Sequence, residues 1–336
     1  MKVIELRDKF GLDSPTVTEK PEPRPGSAQV LIKMRAWSLN YRDLLVVKGL
    51  YNPKLRFPFV PLSDGVGHIA AVGEGVSRVK VGDRVAGIFM QKWLCGDVNE
   101  AKARTALGGG GEGMLAEHVV LHEDGVVHVP EHLTDEEAAT LPCAAVTSWH
   151  ALITEGNLKT GDSVLVQGTG GVSIFALQFA RLSGARVLAT SSSDAKLERA
   201  LRLGASDGIN YKTTPDWEEK ARELTGGSGV DHVVEVGGAG TFAKSLRAVR
   251  MNGRIYLIGI LSGGSGQVNP TPILMKNARV QGIYVGSRDM FEAMNRAIAL
   301  HKLRPVVDRV FGFGEIRQAL QYMESGAHFG KICLKV

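Results

Sequence analysis

Six residues near the middle of the chain have the types and spacing needed to hold a phosphate: Gly168-Thr169-Gly170-Gly171-Val172-Ser173. They follow a β-branched run at residues 163–168 (SVLVQG) and open a stretch at 171–182 whose apolar residues recur at helical spacing. In a strand–turn–helix of this kind, Gly168 permits the tight turn and a side-chain-free Gly170 lets a pyrophosphate approach the backbone. The helix start then offers N–H donors and the positive end of its dipole. Ser173 replaces the third glycine and is small enough for helix–strand packing. Other glycine-rich stretches occur at 226–229 and 263–266, so the strand and helix on either side carry the reading. No Gly-Lys-Ser/Thr follows, which excludes a nucleoside-triphosphate loop.

The end of the next strand discriminates between dinucleotides. An NAD site places Asp or Glu there, ~20 residues past the glycines, to bind the ribose hydroxyls. Here residues 186–190 (RVLAT) run into Thr190-Ser191-Ser192-Ser193. Hydroxyls can donate to a 2′-phosphate that a carboxylate would repel, and Lys196, one turn into the following helix, adds positive charge. Asp194 lies beyond the strand end and reads as a helix N-cap. NADP(H) is therefore the expected cofactor. Gly237 and Gly238, Gly259, and Gly286 with Ser287 close later strands, where open α/β sheets receive ligands.

Two patterns position these residues. Up to about residue 125, short β-like runs (QVLIKMRA, GHIAAVG, DRVAGIF, AEHVVL) are broken by Pro and Gly, as in an all-β unit. From about 160 to 285, strands alternate with helices, which predicts a doubly wound parallel sheet of the α/β class. A helix near 290–301 and a short tail ending in KICLKV follow. The expected division is 1–126, 127–285 and 286–336. Within the first part, the stretch 108–113 is a surface loop or a mobile lid.

Composition closes off several functions. The chain has 336 residues, 44% hydrophobic and 22% charged, enough to bury a large core. Its 41 glycines are about 12% of the chain against a usual ~7%, so tight turns and close backbone approaches abound. No apolar run nears the ~20 residues of a membrane helix, and the start, MKVIELRDKF, lacks a signal-peptide core. Cys95, Cys143 and Cys333 are too few and too scattered for a disulfide framework, so a reducing, cytoplasmic setting is expected. The net charge of +5 comes from charges of alternating sign, without the basic–aromatic stripe of a nucleic-acid binder.

The chain resembles the medium-chain dehydrogenase/reductase superfamily, in its zinc-independent, quinone-oxidoreductase-like branch. The stretches that carry the likeness are Leu39-Asn40-Tyr41-Arg42-Asp43, Gly73-Glu74-Gly75-Val76, Val81-Gly82-Asp83-Arg84-Val85, residues 141–152, and VQGTGGVS with TSSSDAKLERALRLGA. They run in family order over nearly the whole length. The resemblance implies a GroES-like β-barrel, a Rossmann domain, a tail returning to the barrel, and a homodimer formed through the Rossmann domains. NADPH-dependent members hold the 2′-phosphate with a Ser, a Lys four residues on and a Tyr fifteen beyond; Ser192, Lys196 and Tyr211 match. Taken alone, Tyr211 reads as a half-buried aromatic after a strand. Thr147 matches a position beside the nicotinamide, or else satisfies a helix carbonyl. Phe329-Gly330-Lys331 resembles a tail motif near the cofactor, although Lys331 reads equally as a solvated residue.

Zinc-dependent relatives bind their catalytic metal through an early Cys, the His of a Gly-His-Glu motif and a later Cys. The matching positions here are Asn40, Ser63-Asp64-Gly65 and Cys143, so one ligand of three remains and no metal is expected. His68 is out of register with the motif and reads as a strand residue, and Cys95 alone represents the four-cysteine structural lobe. Without a Lewis acid, hydride transfer suits an acceptor that delocalises charge itself, such as a quinone or an α,β-unsaturated carbonyl. The chain must then donate to the enolate-like oxygen, and by family position the candidates are Asn40 and Tyr51. Tyr51 is either that donor or a packing aromatic beside Pro53; Asp43 fixes the local turn, and Cys143 packs as an inert thiol. The rival readings are an NADP-dependent alcohol dehydrogenase or carbonyl reductase, and an NADPH sensor or nucleic-acid-binding relative with little turnover.

Overall fold

Strand–helix alternation from residue 163 onward builds a six-stranded, all-parallel sheet. Its strands are β1 (Ser163–Gln167), β2 (Arg186–Ser191), β3 (Asp207–Asn210), β4 (Val230–Glu235), β5 (Val249–Leu257) and β6 (Arg279–Gly282). The spatial order is β3-β2-β1-β4-β5-β6. The chain works outward from β1 in one direction and then restarts beside it with β4. That reversal leaves a crevice beyond the carboxyl ends of β1 and β4, where doubly wound sheets bind ligands. The structure is a computed structural model that describes all 336 residues.

Every residue of β1 is buried, as in a strand covered on both faces. Leu165, Leu188, Ile209, Val233 and Ile255 pack with Trp217, Ala221, Phe242 and Leu246 from the flanking helices. The helix Gly171–Leu182 packs against β1 and β2, burying Ile174, Phe175 and Phe179. Helical spacing in the sequence thus reports the buried stripe directly.

The chain divides into residues 147–285, which hold this sheet, and residues 1–146 with 286–336. The boundary expected at 126/127 is therefore corrected to 146/147. Strand Val126–His128 pairs with Arg84–Gly87, and helix Asp135–Ala139 packs on strands Gln29–Leu39 and Asp64–Val72. The tail, residues 286–336, is part of the first unit. Lys331–Lys335 runs antiparallel to Gln29–Leu39, with Leu334 opposite Trp37, and parallel to Val307–Gly312. Both ends of the chain thereby share one core, to which helix Ile316–Glu324 adds Ile316, Leu320 and Met323.

Trp37 sits at the centre of that core and donates from its indole N–H to the carbonyl of Met114 at 2.6 Å. The stretch 108–113 is held at its far end, where Gly113 and Met114 donate to Val60 and Leu62, each at 2.9 Å. Gly108, Gly109 and Gly113 are buried, while Gly110 and Glu112 between them are exposed at the surface.

The buried tail strand gives a direct test. Leu334→Ala should lower stability by about 2–5 kcal/mol in denaturant melts, because the cavity opens within a shared core. Val336→Ala, at a position 68% exposed, should change it by less than about 0.5 kcal/mol.

Candidate active site

The glycine turn stands at the carboxyl end of β1. Gly168 has φ +70°, a conformation that side chains resist, and its N–H donates to Thr190 Oγ1 at 3.3 Å. Gly170 is different: its φ of −77° suits any residue, and a Cβ built there would meet no heavy atom within 4 Å. Nothing in the protein itself requires glycine at 170, whereas a closely approaching phosphate does, so the turn fits a dinucleotide. Ser173 does more than save space, donating to the Gln167 carbonyl at 2.6 Å across the turn. Val172 accepts from Ser148 Oγ at 2.8 Å. Thr147, buried, lies between two π-helical stretches, Leu141–Ala145 and His150–Glu155, a local geometry frequent at functional sites. Thr169 is also buried.

At the end of β2, backbone pairing brings the remaining cofactor candidates together. Tyr211 N–H donates to the Ser191 carbonyl at 3.0 Å, which places Tyr211 beside Ser192. Ser193 is the N-cap of helix Asp194–Arg202, accepting from the backbone N–H of Lys196. The expectation that Asp194 caps this helix is thus corrected. Asp194 is the first helical residue, and its carboxylate accepts from Asn210 Nδ2 at 2.7 Å. Ser192 and Lys196 are partly exposed, and Tyr211, 42% exposed, is a half-buried aromatic just after β3.

A residue that the sequence reading passed over organises the other side of the crevice. Glu235, fully buried at the end of β4, accepts from Gly237 N–H (2.8 Å), Gly238 N–H (3.0 Å), Thr241 Oγ1 (2.5 Å) and Gln167 Nε2 (2.8 Å), and from Ser245. Gln167 Oε1 in turn accepts from Val236 N–H at 3.3 Å. Gly259 N–H donates to the Glu235 carbonyl at 3.3 Å. One carboxylate therefore fixes the Gly237 turn and links the ends of β1 and β4. The signal available in the sequence was an acid at the carboxyl end of the run VDHVVEV, with an amide in the same place on β1.

In the barrel unit, Asn40 precedes the short helix Tyr41–Val47 and forms a capping box with Asp43, whose Oδ2 accepts Asn40 N–H at 2.8 Å. Asp43 therefore fixes the turn as expected, but it is also a fully buried charge. Burial pushes its carboxyl up to about 6, against the opposing pull of Arg42. Asp64 is buried too. Its Oδ1 accepts Ser63 Oγ at 2.6 Å and its Oδ2 accepts Cys143 N–H at 3.2 Å. Burial raises its pKa, while Lys331 and Ser63 oppose the rise. Lys331 is not a solvated residue. It is 3% exposed, and its ammonium donates to the Leu39 carbonyl and Asn40 Oδ1, both at 2.6 Å. Asn40 Nδ2 is buried, with the Asp64 carboxylate as its neighbouring acceptor. Tyr51, 39% exposed, lies with its ring centroid 5.5 Å from the Arg42 guanidinium. Gly286, buried, opens the returning segment just before Ser287, which caps the helix Arg288–His301.

The donor set here does not fit a catalytic zinc ion. No three His, Cys, Asp or Glu side chains converge anywhere in the chain. Asp64 already accepts two hydrogen bonds, and burial raises the Cys143 thiol pKa far above its ordinary value, which keeps it protonated. The fixed positive charge beside Asn40 is an ammonium.

A doubly wound sheet with a phosphate turn, in one chain with a barrel carrying a buried acid–base cluster, defines a nicotinamide-dependent oxidoreductase. The alcohol dehydrogenase GroES-like domain family matches residues 26–131, and the zinc-binding dehydrogenase family matches residues 171–299. A zinc-type alcohol dehydrogenase-like protein of Schizosaccharomyces pombe is 46% identical over 314 residues, covering 92% of this chain and 91% of its own. An acryloyl-coenzyme A reductase of Metallosphaera sedula is 32% identical over 327 residues, 95% of each chain. A crystal structure of an NAD-dependent alcohol dehydrogenase superposes with TM-score 0.92 at 35% identity, covering 100% of both chains. The chain belongs to the medium-chain dehydrogenase/reductase superfamily and is an oxidoreductase that uses a nicotinamide dinucleotide.

Two outcomes follow from this geometry. Gly170→Ala should leave thermal stability nearly unchanged and weaken dinucleotide binding at least tenfold in calorimetric titration. Asp43 binds its proton more tightly in the folded chain than in the unfolded one, so its contribution to stability is lost as pH rises from about 4 to about 6. Over that window Asp43→Asn should gain on the wild type by up to about 3 kcal/mol, with no further change above it.

Proposed function

We propose that the protein is an NADPH-dependent reductase of quinones or α,β-unsaturated carbonyl compounds that works without metal. The observation that carries this reading is the barrel cluster. Where zinc-dependent relatives present three metal ligands, Asn40, Asp64 and Cys143 are tied into hydrogen bonds or held neutral, with the Lys331 ammonium alongside. Oxidising an alcohol there would lack the Lewis acid that stabilises an alkoxide. An enone or quinone spreads the arriving charge over its own π system and asks only for hydrogen-bond donors at its oxygen. Asn40 Nδ2, buried beside Asp64, is one candidate donor, and Tyr51 is the other. The relative named acryloyl-coenzyme A reductase bears the name of an activated-alkene substrate, which favours this class.

A bound reduced nicotinamide supplies the hydride. The chain's part is to hold the pyrophosphate over Gly168-Thr169-Gly170-Gly171-Val172, with Gly237, Gly259 and Gly286 as further proposed backbone contacts. Thr147 and Lys331 complete the proposed cofactor contacts. For the 2′-phosphate, Ser192, Lys196 and Tyr211 cluster at the ends of β2 and β3, and the one acid there, Asp194, is bonded to Asn210. A homodimer through the Rossmann domain fits the free edge of β6 and the exposed Leu274, Met275 and Tyr284 around it. No helix is long and apolar enough to cross a membrane, and all three cysteines are free, as suits a cytoplasmic enzyme.

The test is cofactor oxidation with a quinone and an enone, using NADPH and NADH separately. NADPH should be preferred at least tenfold in kcat/KM, and Lys196→Ala with Tyr211→Phe should erase most of that preference while leaving NADH rates alone. A wild type that prefers NADH would overturn the cofactor assignment. Alcohol-driven reduction of NADP⁺ outpacing enone reduction would favour the alcohol dehydrogenase reading, toward which the NAD-dependent structural neighbour points. Sedimentation should give the mass of two chains.

A further inference from the structure

Arg42 is the cation in this cluster whose hydrogen bonds do not add up. Its side chain is 11% exposed. One terminal nitrogen, Nη2, donates to the Leu107 carbonyl at 2.6 Å and lies 3.4 Å from Asp43 Oδ1. Nε and Nη1 are buried and have no hydrogen-bond partner. The aromatic contacts do not satisfy them. The guanidinium carbon sits 4.5 Å from the centroid of Phe89 and 5.5 Å from that of Tyr51, but the N–H bonds lie in the guanidinium plane and need an in-plane acceptor. Burial opposes the charge, yet the neighbouring acidic groups, Asp43 foremost, outweigh it and raise the Arg42 pKa further. The group is thus a permanent cation with N–H donors in reserve.

Gly109 lies over Nη1, and a Cβ there would fall 2.7 Å from it. Leaving buried donors unpaired is costly, so the two on Arg42 call for an acceptor that arrives from outside. The charge balance says what kind. Asp43 and Asp64 offset Arg42 and Lys331, so an anionic ligand would face two carboxylates, whereas a neutral carbonyl oxygen meets no such penalty. Negative charge on that oxygen would then appear only as the reaction proceeds, when a preorganised cation helps most.

We propose that Arg42 is a catalytic residue whose Nε and Nη1 donate to the carbonyl oxygen of the acceptor, with Asn40 Nδ2 assisting. This rests on the enone-reductase reading above and names the group that replaces the metal as electrophile. A bound reduced nicotinamide would give up a C–H bond and be oxidised, its hydride forming the new C–H bond at the β-carbon as the alkene π pair shifts to make the enolate. Arg42 would hold the oxygen charge while keeping all its protons, and the α-carbon would take a proton from water, leaving hydroxide to the solvent.

The experiment uses 4-dimethylaminocinnamaldehyde, an enal whose absorption moves to longer wavelength as its carbonyl oxygen is polarised. Spectra are taken with the full-length protein and oxidised cofactor, and steady-state kinetics with NADPH and an enone run alongside. The wild type should red-shift the probe. Arg42→Met should abolish the shift and lower kcat about 100-fold, with the NADPH Kd within threefold of the wild type. Arg42→Lys keeps the charge beside Asp43 and loses the fork, so it should retain a weaker shift and about a tenth of kcat. If Arg42→Met fails to fold, Arg42→Lys alone decides. A wild-type shift and wild-type kcat in whichever variant decides would overturn the assignment. A red-shifted probe that the wild type never reduces would instead refute the reductase reading and leave Arg42 as a carbonyl-binding group.

Discussion

Two carboxylates, Asp43 and Asp64, are buried in the barrel, and the rest of the site answers to them. A buried carboxylate is costly unless hydrogen bonds satisfy its oxygens, and a nearby cation offsets its charge further. Asp43 meets this through Asn40 N–H and Arg42, and Asp64 through Ser63, the Cys143 N–H and the charge of Lys331. Arg42 and Lys331 are thus held where the acids need them, and the tail strand that delivers Lys331 pairs beside Trp37 to do so. Removing one member leaves another buried charge uncompensated, so the cluster is expected to fail as a unit.

The parallel-sheet unit solves the same problem with neutral partners. Glu235 takes hydrogen bonds from two backbone amides, two hydroxyls and an amide side chain, with no cation in contact. Its negative charge is spent on shaping the Gly237 turn and tying the ends of β1 and β4. The glycine turn at 168–171 then lies at a crevice whose far wall is rigid, which suits a ligand that must be held in one geometry.

Much of this was legible in the sequence because its signals are local. Strand–turn–helix order around Gly168, the hydroxyl run at 190–193 and the alternation of strands and helices all depend on neighbours in the chain. The domain boundary was misjudged because residues 127–146 join the barrel through pairing with Arg84–Gly87, a contact that composition does not encode. The cap at Ser193 was misassigned by one residue because Ser and Asp are equally good caps, and the choice falls to the hydrogen bond between Asp194 and Asn210. Arg42, Glu235 and the buried state of Lys331 were not legible at all. Their roles come from partners far along the chain: Leu107 for Arg42, Gln167 for Glu235, and Asn40 for Lys331.

The central claim, direct hydride transfer to an activated alkene without metal, is tested most directly by isotope transfer. NADPH carrying deuterium at the reactive C4 position is mixed with an enone and enzyme pretreated with a strong chelator. The account predicts deuterium at the β-carbon of the product and a rate equal to that of untreated enzyme. Activity that disappears with the chelator and returns with zinc, or product without deuterium, would contradict it.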